Sequence, residues 1–137
     1  MKTVRANIIC GSDGTYDINL CGQDYGLDYS VIASGKTVEE AKRDFVESYE
    51  DIKETYKDLG RPFEEIEYSF YYDMPTFLQH YAYALSLASL SRITGVNQGQ
   101  LSHYINGTSR PSQRTIQKIE EAISNFAAEL SQVRFAL

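Results

Sequence analysis

Apolar and polar positions alternate in the first stretch of the chain. In "TVRANIIC", Val4, Ala6, Ile8 and Cys10 fall on one side and Arg5 and Asn7 on the other. A period of two marks a strand with one buried face. The turn formers of "GSDGTYD" lead into "YDINL", where Tyr16, Ile18 and Leu20 alternate again, so the pair predicts a hairpin. "GQDYGLDY" reads as loop and "YSVIAS" as a third strand. "FEEIEYSFYYDM" reads as a fourth, with Ile66, Tyr68, Phe70 and Tyr72 on one face. Between the third and fourth strands the period changes. Val38, Ala41, Phe45, Tyr49, Ile52, Tyr56 and Leu59 recur at three- and four-residue steps, which predicts a long amphipathic helix. Thr37 and Glu40 make a capping box at its start, and Gly60 with Pro62 stops it.

From Asp73 onward the pattern is helical throughout. "DMPTFLQHYAYA" places Asp73 as a cap and Pro75 in the first turn, with Phe77, Leu78 and Tyr81 on one face. "LSLASLSRITG" follows, with Leu87, Leu90 and Ile93 apolar and the small Ser91 at a point of close helix crossing. Gly95 ends it and the next helix starts at once, the spacing of a helix-turn-helix. The fold class predicted is α+β. A small β-β-β-α-β sheet domain (residues 1–73) precedes an all-α helix-turn-helix domain (residues 74–137).

The second helix of that pair, within "GVNQGQLSHYINGTSRPS", is unusually polar for its length. Asn97 is a good N-cap, Gln100 stands where it completes a capping box, and Val96 with Leu101 makes a hydrophobic staple. Leu101, Tyr104 and Ile105 share the inward face. Gly99, Ser102 and His103 then point outward, flanked by Gln98 and Gln100, and Gly107 closes the helix. An outward face with no carboxylate suits the edges of bases, because a Gln amide both donates to and accepts from adenine. Gln98, Gly99, Gln100, Ser102 and His103 are therefore the expected base-reading residues. "NGTSRPSQR" adds phosphate-type ligands in Asn106, Thr108, Ser109, Arg110 and Arg114, with Asn97 at the cap. Further on, Ile116, Ile119, Ile123, Phe126, Leu130 and Val133 step like a heptad seam. The first three are expected to pack on the helix-turn-helix, and Phe126, Leu130 and Val133 to form a homodimer contact.

Charge sharpens the division. The chain's net −6 is uneven: residues 1–73 hold 8 Lys/Arg and 16 Asp/Glu, whereas residues 74–137 hold 5 and 3. The acids concentrate on the outward face of the long helix and lie apart from the basic half, so the overall charge does not exclude nucleic acid. No signal peptide or membrane span is read, which leaves the cytoplasm as the expected compartment and no membrane partner. Cys10 and Cys21, without metal-ligand spacing, are expected to be buried thiols. The first strand has no acid, only His80 and His103 are imidazoles, and no triad or phosphate-cradling glycine motif is present. The expectation is a protein that is not an enzyme, with no catalytic residues, no metal and no cofactor.

Two resemblances cover nearly the whole chain. "SDGTYDINL", a loop and "SGKTVEEAKRDF" resemble the HicB antitoxins, whose N-terminal half is a truncated RNase-H-like β-β-β-α-β unit. "LSLASLSRITGVNQGQLSHYINGTSRPSQRTIQKIEEAI" resembles the Cro/C1-type (Xre) helix-turn-helix. The shared positions are Leu90, Ser91, Gly95-Val96, Leu101, "NG" and Arg-Pro-Ser. The sequence departs from that family at Thr94, where an apolar residue is usual, and at Leu87, where a phosphate-touching Gln is frequent. Ser86 or Ser89 is the expected substitute for that Gln. Together the resemblances imply a repressor that binds double-stranded operator DNA as a homodimer or higher oligomer. They also imply that it neutralises a small, basic, HicA-like mRNA-cleaving toxin. A solitary helix-turn-helix regulator, or a protein-interaction module without a DNA role, are the alternatives.

Overall fold

The computed structural model describes all 137 residues, which divide into two compact units, Met1–Asp73 and Met74–Leu137. In the first, β1 (Lys2–Cys10), β2 (Tyr16–Leu20), β3 (Val31–Gly35) and β4 (Ile66–Tyr72) form one mixed sheet in the order β3-β2-β1-β4. β1 and β2 pair as an antiparallel hairpin, β3 adds antiparallel to β2, and β4 lies parallel to β1. A parallel partner cannot be reached by a tight turn. The helix α1 (Val38–Asp58) carries the chain from the β3 edge back to the β4 edge, and packs on one face of the sheet.

Period two therefore decides which residues meet the helix. Val4, Ala6 and Ile8, Ile18 and Leu20, and Val31 and Ala33 are buried together with Val38, Ala41, Phe45, Tyr49 and Tyr56 of α1. The Phe45 ring meets Tyr68 and Phe70 of β4 edge-on at 5.0 and 5.5 Å. Tyr29, Tyr49 and Tyr56 surround Phe63 at the other end of the helix, with ring centroids 4.7, 5.5 and 5.4 Å from it. So many phenols survive burial because each hydroxyl has a partner. Tyr29 donates to the Glu64 carbonyl at 2.7 Å, Tyr56 to Asp28 at 3.1 Å, and Tyr49 accepts from the Ile66 N–H at 3.2 Å. Burial pushes the Tyr29 phenol well above its ordinary range, so it stays neutral.

Local chemistry sets the helix ends. Thr37 Oγ1 accepts the Glu40 N–H, but the Glu40 carboxylate reaches the N–H of Lys36, one residue beyond the expected partner of a capping box. At the other end Gly60 donates to Lys57 and Arg61 to Tyr56, a Schellman closure that turns the chain away. It also leaves Leu59, expected in the buried stripe, 64 % exposed. Two smaller readings change as well. Cys21 is exposed, because it follows the last inward residue of β2, and only Cys10 is partly covered. The loop after β2 contains a 3-10 turn, Gly22–Tyr25, where a Cβ on Gly22 would stand 1.6 Å from the Tyr29 carbonyl oxygen.

The second unit holds α2 (Met74–His80), α3 (Leu87–Thr94), α4 (Gln98–Asn106) and α5 (Gln113–Leu130). Its core is Leu78, Leu90, Val96, Leu101, Tyr104 and Ile119. α2 stops earlier than its apolar pattern suggests, in a turn where the Tyr81 carbonyl accepts from both Ala84 and Leu85. That turn lets Leu85 and Leu87 pack against the core. α5 ends at Leu130, so Val133 lies beyond the helix and does not continue the seam. No helix in the chain is long and apolar enough to cross a membrane.

Thr94, the departure just before the turn, is buried and fully used. Its Oγ1 donates to the Leu90 carbonyl at 2.6 Å and accepts from the Val96 N–H at 3.1 Å, bracing the turn through Gly95. Thr94→Val keeps the shape but leaves that buried N–H without its acceptor. It is expected to cost about 1–3 kcal/mol in urea unfolding; an unchanged midpoint would show that the brace adds nothing.

Candidate nucleic-acid interface

α4 is short because both ends are fixed by side chains and turns. Asn97 Oδ1 accepts from the Gly99 N–H at 2.8 Å, and Val96 and Leu101 are buried together beneath it. At the far end Gly107 takes φ 75°, its N–H bonding Tyr104 and that of Thr108 bonding His103. Only glycine adopts that backbone without strain. Between these stops Leu101 and Tyr104 face inward and Ile105 is half-buried against the same core. The opposite side holds Gln98, Gly99 and His103, all exposed, with Gln100 and Ser102 half-buried.

Gln100 does not return to the cap. Its Nε2 donates to Ser109 Oγ at 3.1 Å, so the capping box is open and the side chain ties α4 to the following loop. His103 makes a second tie, its Nδ1 lying 3.0 Å from Thr108 Oγ1, which also donates to the His103 carbonyl at 3.2 Å. The Gln98 side chain, unlike that of Gln100, has no partner within the chain. Gly99 has its own reason to lack a side chain, since a Cβ there would stand 3.0 Å from the capping oxygen of Asn97.

The candidate phosphate ligands separate into two groups. Ser86 caps α3, accepting the Ser89 N–H at 3.1 Å and pairing with the Ser89 hydroxyl. Asn97, Thr108 and Ser109 likewise have local partners. Asn106, Arg110 and Arg114 are exposed without one. The ion pairs Lys2–Glu64, Lys53–Glu65 and Arg61–Asp28 all join residues of the first unit, and none involves Arg110, Arg114 or Lys118. Lys118 belongs with this group and was not singled out from the sequence. Its Nζ lies 3.6 Å from where a Cβ of Gly95 would be, beside the turn between α3 and α4. Its spacing of four from Arg114 on one helix was the available signal. Of the residues expected in a dimer seam, Phe126 is half-buried on α5, Leu130 at its end is 58 % exposed, and Val133 beyond it is 48 % exposed.

Removing the cap isolates its contribution. Asn97→Ala is expected to lower stability by about 1 kcal/mol. Circular dichroism melts read the loss, and an unaltered melting temperature would mean that packing alone holds the start of α4.

Residues 82–124 match the family model described as helix-turn-helix, a span that takes in α3, α4 and α5 as far as Ser124. No curated protein and no solved structure matches the chain. The second unit thus carries a DNA-binding helix-turn-helix, with α3 and α4 as its two helices.

Proposed function

We propose that the protein is a sequence-specific repressor that reads operator DNA with α4 and acts as a HicB-type antitoxin controlling its own operon. One observation carries the DNA reading: the outward side of α4 is polar and uncharged, and unpaired arginines stand at Arg110 and Arg114 just beyond it. Carboxylates there would be repelled by phosphate, whereas unpaired guanidinium groups displace counterions from it. Gln98 is the principal base reader, with Ser102 and His103 beside it. Gln100 has one of its amide hydrogens held by Ser109, which fixes the side chain on the side of α4 next to the loop. Arg110, Arg114 and Asn106 position the duplex, and Lys118 joins them.

The exposed apolar side chains of Leu130, Val133 and Phe135 favour a homodimer through the end of α5 and the segment after it. The antitoxin role draws support from the first unit. Its strand order, its single covering helix and "GKTVEEA" at the start of α1 fit the HicB resemblance. The exposed acids Glu39, Glu47, Glu50, Asp51 and Glu54 on α1 offer complementary charge to a small basic toxin. The protein works by binding. Asp13 and Glu40, which line the same open cleft, both hold local groups. Asp13 accepts from the hydroxyl and N–H of Thr15, which lowers its pKa, and Glu40 accepts from Lys36.

Titration of the DNA upstream of the gene, followed by fluorescence anisotropy at several salt concentrations, tests the proposal. Tight binding that weakens steeply with salt is expected. Gln98→Ala should flatten discrimination between operator and scrambled duplex by about 1–3 kcal/mol, whereas Arg110→Ala should weaken both alike and reduce the salt slope by about one. An equal, uniform loss from both substitutions would reverse the assignment of reading and positioning. For the antitoxin role, a short basic protein encoded next door should form a stable complex with the chain on size-exclusion chromatography. Separate elution would leave a solitary regulator.

A further inference from the structure

We infer that Thr108 fixes the tautomer of His103, so that the imidazole presents an acceptor nitrogen to the groove and selects a base bearing an exocyclic amino group. This deepens the DNA-binding reading and rests on it. Thr108 Oγ1 has one proton and two neighbours, the His103 carbonyl at 3.2 Å and His103 Nδ1 at 3.0 Å. A carbonyl oxygen only accepts, so the hydroxyl proton goes to it. Both contacts are then hydrogen bonds only if Nδ1 carries its own hydrogen and donates to the hydroxyl oxygen. In a neutral imidazole that leaves Nε2 bare.

The backbone enforces this geometry. Thr108 follows Gly107, and its N–H is already bonded to the His103 carbonyl at 3.0 Å, so its hydroxyl is held over the last turn of α4. His103 is exposed on the outward side of that helix, and Nε2 has no partner in the chain. A bare ring nitrogen in the major groove accepts from adenine N6 or cytosine N4, whereas the acceptor edges of guanine and thymine offer it nothing. Thr108 is thus a positioning residue for His103, not a phosphate ligand in its own right. Gln100, tied by its nitrogen to Ser109, is held to the same loop. Of the two, only His103 is converted from ambivalent to accepting, since Gln100 keeps a second amide hydrogen.

The test has two arms. In the full-length protein without DNA at about pH 8, where imidazole is neutral, 15N NMR should find His103 Nδ1 protonated and Nε2 unprotonated. The His103→Gln spectrum tells its signals from those of His80. Thr108→Val, which removes the acceptor and keeps the side-chain shape, should shift the population toward the Nε2–H form. In vitro selection from random duplexes should then enrich adenine or cytosine at one position per site for the natural chain, and the enriched base says which amino group is read. Thr108→Val should lose about fivefold of that preference, read as the ratio of favoured to disfavoured base within the variant's own selected pool. Binding with an Nε2–H tautomer in the natural protein, or an unchanged base preference in Thr108→Val, would overturn this inference alone. Failure to retain any duplex would overturn the DNA-binding reading together with it.

Discussion

The packing of one side of α4 is the constraint on which the rest of the second unit depends. Leu101 and Tyr104 sit in a core completed by Leu90 from α3, Val96 from the turn and Ile119 from α5. Burying those side chains fixes how the helix rolls about its axis, and so which residues face outward. Hydrophobic burial alone is permissive about length. Here the ends are set by hydrogen bonds, from the Asn97 oxygen at one end and through Gly107 at the other. A short helix rolled into one orientation turns Gln98, Gly99 and His103 to the surface as a group.

A second layer of order lies in the loop after α4. Gln100 to Ser109 and His103 to Thr108 tie the helix to the segment that carries Arg110. Individually, hydrogen bonds at an exposed surface contribute little net stability, because water competes for each group. Their effect is directional. Each commits one hydrogen-bonding group of the side chain and so fixes where the remaining groups stand. The same exchange of freedom for direction occurs at Thr94, where a hydroxyl in a buried position braces the turn between α3 and α4.

Much of this was legible in the sequence, for a physical reason. Period-two and period-3.6 patterns report burial, and burial dominated the placement of all four strands, of α1 and of the inward side of α4. Polar partners were less legible. The capping boxes at Thr37–Glu40 and Asn97–Gln100 were both visible as patterns, yet Glu40 bonds Lys36 and Gln100 bonds Ser109. Spacing says that a polar side chain can reach a cap, but not whether a neighbour across the loop competes for it. Helix ends misled in the same way. Leu59 and Val133 continue the apolar rhythm, while the backbone has already left the helix, by a Schellman turn in the first case and after Leu130 in the second. For Lys118 the spacing from Arg114 indicates only a shared helix face, whereas its place beside the turn at Gly95 depends on the approach of α5, a contact between segments distant in sequence.

The central claim is that the outward side of α4 is the surface that meets duplex DNA. Amide chemical-shift mapping tests it most directly, by titrating the labelled protein with duplex carrying its upstream sequence. The largest perturbations should fall on Gln98, Gly99, Ser102 and His103, with a second group at Arg110 and Arg114. Perturbations concentrated on the sheet unit, or a spectrum that the duplex leaves unchanged, would contradict it.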